Sequence, residues 1–205
     1  MMQHQMTNRG DEYYTLQAKK DGYLARSAYK LEEIQKKFDT LKWVKTVLDI
    51  GCAPGSRLQY LSKYLQKTRA EAKIIGFDLK PVNLALPYVH SYELDITDRE
   101  WVKTILDEQW ITKVDCIVSD MAPDTMGMSD IDGIRSIGLI EKTLWIYETY
   151  LKEWGTFAIK VFMGPGYEEL LRELKDIYGN KDIVSFKPKS CRKASKEIYI
   201  VRRRR

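Results

Sequence analysis

Four charged residues stand where the sequence is otherwise apolar. Lys160 lies inside Gly155-Thr-Phe-Ala-Ile-Lys-Val-Phe-Met163, a run that reads as a buried strand. Lys30 borders the apolar stripe of a helix, Asp120 ends an apolar strand, and Glu197 opens the last one. A buried ammonium or carboxylate is costly unless it is paired or has a task. Brought together, the four would make a Lys-Asp-Lys-Glu cluster of zero net charge, suited to taking a proton from a hydroxyl. A lysine is a base only when neutral, and roughly 0.1% of a free one is neutral at pH 7.5. Desolvation and a second cation favour the neutral amine while carboxylates oppose it, so charge alone leaves the balance open. Taken singly, Lys30 passes for a solvated helix flank, Asp120 for a cap and Glu197 for an edge-strand charge. Lys160 is the hardest of the four to explain by structure alone.

A second constellation surrounds the turn Gly51-Cys-Ala-Pro-Gly55, which follows an apolar strand and opens a helix. Glycines let backbone approach a ligand closely, and such a turn lies at a helix N-terminus. The pattern is not GxGxxG: Ala53-Pro54 replaces the glycine a pyrophosphate needs, and Pro54 removes an amide donor. A nucleoside-type ligand without phosphates is therefore favoured over a dinucleotide. Asp78 and Asp95 end the next two strands, where one suits a ribose diol and the other an adenine amino group. Gly51, Ala53, Pro54, Gly55, Asp78, Asp95 and Asp120 thus form the candidate cofactor set, and S-adenosylmethionine fits it.

These residues need elements to position them. Leu24, Ala28, Leu31, Ile34 and Phe38 predict a helix over about Leu24–Phe38. Strands are predicted over Thr46–Ile50, Lys73–Phe77, Val89–Leu94, Val114–Ser119, Thr156–Phe162, Asp182–Phe186 and Glu197–Val201. Between them fall a helix from Gly55, one capped by Asp98, a long one over about Ile134–Glu153, and one after Gly166. Alternating strands and helices argue an α/β fold: a seven-stranded, mostly parallel Rossmann-like sheet with helices on both faces. The last two strands have no helix between them and predict an antiparallel edge hairpin. Ligands of such sheets sit at the carboxyl ends of the strands, where Asp78, Asp95 and Asp120 fall. Residues 1–22 read as a polar, mobile segment, 23–201 as one domain and 202–205 as a basic tail.

Composition narrows the chemistry further. Three cysteines and two histidines lack ligand spacing, so no metal site is expected and a reducing cytoplasm is the default. No apolar run is long enough to cross a bilayer, and a monomer is expected. The net charge of +5 is small, but basic residues crowd two stretches: Lys19 to Lys37, and Lys187 to Arg205 including Arg192, Lys193 and Lys196. Two basic segments, if folding joins them, suggest an acidic partner, RNA. Tyr13, Tyr14, Tyr23 and Tyr29 interleave with the first and are candidates for base stacking.

Four segments carry the unusual charges: Arg26-Ser-Ala-Tyr-Lys-Leu31, Ser119-Asp-Met-Ala-Pro123, Ile159-Lys-Val-Phe162 and Cys191-Arg-Lys-Ala-Ser-Lys-Glu-Ile-Tyr-Ile200. In these motifs, in order and beside the cofactor turn, the chain resembles the FtsJ/RrmJ family of RNA ribose 2′-O-methyltransferases over about Gly22 to Val201. The resemblance implies the class I methyltransferase fold and S-adenosylmethionine as cofactor. It also implies a catalytic tetrad falling on Lys30, Asp120, Lys160 and Glu197, and cofactor contacts at Gly55, Asp78, Asp95 and Asp120. Bacterial members of the family modify a uridine of large-subunit ribosomal RNA; other relatives act on transfer RNA or messenger RNA caps. Two departures stand out. The family usually continues its turn as Pro-Gly-Gly-Trp, whereas this chain has Pro54-Gly-Ser-Arg57, and Asp124 and Met126 replace the usual Asn and Ser after Ala-Pro. Two rivals remain open at this point: a nucleotide-dependent dehydrogenase, which the missing glycine disfavours, and a noncatalytic RNA-binding protein on the same fold.

Overall fold

The computed structural model describes residues 9–68, 72–192 and 194–204. Residues 1–8, Lys193 and Arg205, which belong to the polar segment and the basic stretches named above, lie outside the described residues. Seven strands form one sheet: β1 (Thr46–Ile50), β2 (Lys73–Asp78), β3 (Val89–Glu93), β4 (Val114–Ser119), β5 (Leu151–Phe162), β6 (Ile183–Phe186) and β7 (Glu197–Arg202). Their spatial order is β3-β2-β1-β4-β5-β7-β6. All pairings from β3 to β5 are parallel, and β7 runs antiparallel to both β5 and β6. The expected edge hairpin is present. The chain winds outward from β1 through β2 to β3, then returns to β4, so the switch point lies between β1 and β4.

Side chains alternate across a strand, and the two cores follow that alternation. One face packs Val47, Cys116, Val118, Ala158, Tyr199 and Val201 against α2 (Ser27–Phe38) and α3 (Ser56–Thr68). The other packs Leu48, Ile50, Ile117, Phe157, Ile159 and Ile200 against α4 (Arg99–Glu108), α5 (Ser129–Glu141), α6 (Leu144–Tyr150) and α7 (Tyr167–Tyr178). Parity then dictates where the charges go. Asp49, Asp120, Lys160, Glu197 and Tyr199 each lie an even number of residues from a member of the first face. They are directed under α2 and α3. Asp98 caps α4 as expected, accepting from the Trp101 amide at 3.3 Å.

Three expectations are corrected. The helix over Ile134–Glu153 is two helices followed by strand. Thr143 turns both its amide and its hydroxyl back onto Ile140 O, at 2.8 Å each, which ends α5. Leu151 pairs with Val114, so the sheet claims the segment's last residues. The polar N-terminal segment carries a helix, α1 (Arg9–Lys20). Its local sequence is a weak core former, but Ala18 is buried, the Tyr14 ring lies 5.7 Å from that of Tyr29, and Asp21 accepts from the Tyr29 hydroxyl at 2.7 Å. Tertiary contact, not propensity, orders it. Finally, the basic tail is docked as far as residue 204. Arg202 is a buried β7 residue whose guanidinium donates to Glu153 O and stacks on Tyr178. Arg203 donates to Lys181 O, and Arg204 lies over Trp43.

Candidate active site

Strand register builds the site. Lys160 pairs with Tyr199 and Phe162 with Glu197, so these four side chains share one face at the end of β5. Ser119 pairs with Ile159, which sets Asp120 beside Lys160, and the Asp120 amide is tied to Ile50 O at 3.0 Å. The Lys160 amine donates to Asp120 O at 2.6 Å and lies 3.1 Å from Asp120 Oδ1. Its side chain is 8% exposed, so it does not reach out to water. Lys30, expected along a helix flank, is buried on α2 and forms an ion pair with Glu197 Oε1. The tetrad thus consists of two ion pairs, Lys160–Asp120 and Lys30–Glu197.

The electrostatics couple them. Burial pushes Asp120 toward its neutral form, but Lys160, Arg57 and Lys30 outweigh it and hold the carboxyl well below the usual carboxylate range. Burial likewise works against the Lys30 ammonium, yet Asp120 and Glu197 raise it above the ordinary lysine value. Tyr199 donates its hydroxyl to Asp120 Oδ1 at 2.8 Å, and burial with the Asp120 charge keeps it protonated. Cys191 lies 3.4 Å from Glu197 Oε1, and burial followed by the Glu197 charge pushes its thiol up to about 12.

The turn after β1 forms the adjoining wall. A Cβ on Gly51, where φ is +73°, would meet the Met121 amide at 2.9 Å, so the turn lies against the Asp120 segment. Its amides are spent inside the protein. Those of Gly51 and Cys52 donate to Phe77 O, that of Ala53 to Asp78 Oδ2 at 2.8 Å, and that of Gly55 to Cys52 O, while Pro54 has none. No donor of this turn is left for a phosphate, in keeping with a ligand that lacks one. Asp78 is half-buried and its other oxygen accepts from the Lys80 amide at 2.9 Å. Asp95 is exposed, and its Oδ1 takes both the amide and the hydroxyl of Thr97. Each retains lone pairs for a ligand.

The FtsJ-like methyltransferase family model matches residues 23–205. The chain belongs to the FtsJ-like methyltransferase family. It is a methyltransferase. It is 40% identical over 195 residues to a ribosomal RNA large subunit methyltransferase E of Desulforapulum autotrophicum, covering 95% of this chain and 92% of that one. The enzyme of the same name from Treponema denticola is 33% identical over 192 residues, covering 93% and 92%. Among solved structures, one assigned as a ribosomal RNA methyltransferase of Plasmodium falciparum superposes with a TM-score of 0.77 at 29% identity, covering 89% and 98%. A fibrillarin pre-rRNA processing protein of Methanococcus jannaschii shares the fold, with a TM-score of 0.52 at 13% identity over 80% and 68% of the two chains.

Within this FtsJ-like chain, the residue that sequence reasoning misplaced is Arg57. Noted in the sequence only as a departure from the family's tryptophan, it is buried, donating to Asp49 Oδ1 from Nε at 2.9 Å and from Nη2 at 2.6 Å, and to Asp120 Oδ2 from Nη1 at 2.8 Å. Tyr199 and Asp49 were also missed. The period-two spacing from Glu197 and the interruption of Thr46–Ile50 by a carboxylate were the available signals.

Beside this quartet of charges, folding joins the two basic stretches. Glu33 on α2 accepts from the amides of Lys189 and Ser190 at 2.6 and 2.9 Å, and the Lys37 amine sits 4.4 Å from the Phe186 ring. Of the four tyrosines, Tyr29 is core and Tyr13 is 60% exposed. No helix among the described residues is long and apolar enough to cross a membrane, and no cluster there has the makeup of a metal site.

Proposed function

We propose that this methyltransferase uses S-adenosylmethionine to methylate a ribose 2′-hydroxyl of RNA, at a uridine of large-subunit ribosomal RNA. The observation that carries the reading is the buried Lys160 amine held on Asp120 within a charge-balanced quartet, next to a turn with no phosphate donors. The names of the relatives, ribosomal RNA methyltransferases, support the substrate class. So does the basic surface formed where α2 meets the 187–196 loop, since phosphate contacts position a nucleic acid over a site.

Bound S-adenosylmethionine would supply an electrophilic methyl group on a positively charged sulfur. Asp78 would accept from its ribose hydroxyls and Asp95 from its adenine amino group. In its ammonium form Lys160 has three donors, two of them directed to Asp120 O and Oδ1, which leaves one position facing the incoming ribose. In its neutral form Lys160 would take the 2′-hydroxyl proton as the oxygen bonds to the methyl carbon and the carbon–sulfur bond breaks, its electron pair staying on sulfur as a neutral thioether. Lysine ends as an ammonium, which the adjacent Asp120 carboxylate stabilises. The Lys30–Glu197 pair, on the other side, orients the ribose. Alignment of oxygen and methyl contributes alongside the proton transfer.

Labelled-methyl transfer to naked ribosomal RNA, to ribosomal subunits and to transfer RNA, followed by nuclease mapping, tests this directly. The label is expected on a 2′-oxygen of large-subunit RNA. Lys160→Ala should lose about 100-fold or more in turnover, the scale of a general base, while calorimetry shows the cofactor still bound. Near-normal turnover by that variant would remove Lys160 from the chemistry.

A further inference from the structure

Arg57 takes the place of the aromatic residue in the family's turn, yet its side chain turns inward. The guanidinium, 4% exposed, spans from Asp49 on β1 to Asp120 beyond β4, and Nη2 also donates to Gly51 O of the cofactor turn. Asp120 is therefore held at both oxygens. Oδ1 faces Lys160 and Tyr199, and Oδ2 faces Arg57. A carboxylate bonded at one oxygen only can swing about its last torsion, whereas one clamped at both cannot.

The clamp has an electrostatic consequence for the base. If Lys160 were the sole cation on Asp120, its neutral form would leave a buried carboxylate uncompensated, a state that costs several kcal/mol. With Arg57 in place, Asp120 keeps a bidentate-capable, permanently charged partner when Lys160 gives up its proton. We propose that Arg57 is a positioning residue for methyl transfer: it fixes the Asp120 carboxylate and keeps its charge compensated when Lys160 is in the neutral form that takes the proton. This rests on the reading of Lys160 as the base.

The groups that bear on this pH dependence come from every neighbouring element. They are Lys30 on α2, Arg57 on α3, Asp49 on β1, Asp120 after β4, Glu197 and Tyr199 on β7, and Cys191 on the preceding loop. Arg57 is a permanent cation of this group and bonds Asp120 directly. The active form is the deprotonated lysine, so activity rises with pH to a plateau. A fixed cation beside Asp120 favours that form, and its removal must move the midpoint upward.

Arg57→Gln alone would strand the buried Asp49 carboxylate, so the test uses Asp49→Asn/Arg57→Gln, compared with Asp49→Asn, and Arg57→Lys. Single-turnover methyl transfer is followed from pH 6 to 10, with melting curves and cofactor calorimetry on each protein. The double variant should show its pH midpoint raised relative to Asp49→Asn. Its kcat at pH 7.5 should fall in proportion to that shift, with the RNA KM changed much less. Arg57→Lys, which keeps the charge, should retain the wild-type midpoint. An unmoved midpoint in the double variant, or an equal shift in Arg57→Lys, overturns the proposal. A purely structural Arg57 would lower melting temperatures and leave the midpoint alone. Full activity in Lys160→Ala would instead remove the base reading on which the proposal stands, so the two failures are distinguishable.

Discussion

The proposed catalytic and cofactor ends of this site hold their carboxylates in opposite ways. Asp120 is gripped by partners from α3, β5 and β7, separated from it by 63, 40 and 79 residues. Asp95 is exposed and bonds Thr97, two residues away. Asp78 is intermediate, with one partner two residues on and another 25 residues back. The difference follows from the work proposed for each. A group that must keep a proton acceptor aligned gains from a rigid, dry, long-range network, in which removing one member disturbs the others. A group that only recognises a ligand's hydroxyl or amino edge can be set by a local turn and stay wet. Damage at the first end should therefore spread to folding, and damage at the second should stay in binding.

The largest effect is expected where that contrast is sharpest. Lys30→Ala leaves Glu197 buried and unpaired, and breaking a buried pair costs about 3 kcal/mol. Urea denaturation should show that loss, and Lys30→Ala/Glu197→Ala should recover part of it by removing the stranded charge. Equal stability of Lys30→Ala and wild type would mean the pair is not dry in solution, and the comparison would collapse.

The pH dependence of stability separates two carboxylates within the same network. Burial pushes Asp49 up to about 6, because desolvation outweighs the attraction of Arg57. The folded chain then binds a proton at Asp49 that the unfolded chain, with a carboxylate near 3.9, has released, so this group lowers stability as pH rises from about 4 to 6. Asp120 has the opposite sign: its depressed carboxyl stabilises the fold above about pH 4 and loses that contribution as pH falls further. Asp49→Asn should therefore gain on wild type between pH 4.5 and 7.5, by on the order of 2 kcal/mol. Parallel stability curves for the two proteins would show that Asp49 carries no such proton.

How much of this was legible depended on whether the deciding contact is local or set by parity. The bounds of β1 and β4 were readable because short runs rich in β-branched residues lie between Lys45 and Gly51 and between Lys113 and Asp120. Lys160 and Glu197 were readable as misplaced charges in such runs. The break at Thr143 was not, since Trp145, Ile146, Tyr147 and Tyr150 continue an apolar pattern across it, and the end of the helix is set by β4 pairing with Leu151. α1 was invisible because what holds it is the Tyr14–Tyr29 contact and the burial of Ala18. The role of Arg57 was not legible because its two carboxylates, one on β1 and one just past β4, lie far apart in the sequence. Only the alternation that turns Asp49 and Asp120 toward α3 reveals that a cation belongs there.

The smallest expected effects belong to the cofactor end, and they sharpen the comparison from the other side. Asp78→Ala removes acceptors from two backbone amides, at Ala53 and Lys80, and should cost about 1 kcal/mol in stability. Its main effect should be on S-adenosylmethionine, weakened roughly tenfold or more in calorimetry, because a charged acceptor for two ribose hydroxyls is gone. Asp95→Ala should weaken cofactor binding less than Asp78→Ala, since Asp95 is exposed and water can satisfy an adenine amino group in its place. Neither variant should move the pH midpoint of methyl transfer measured at saturating cofactor, because neither carboxylate touches the Lys160–Asp120–Arg57 chain. A midpoint shift in Asp78→Ala would mean that the two ends are coupled through the Gly51 turn, and that the wet end is as much a part of the proton network as the dry one.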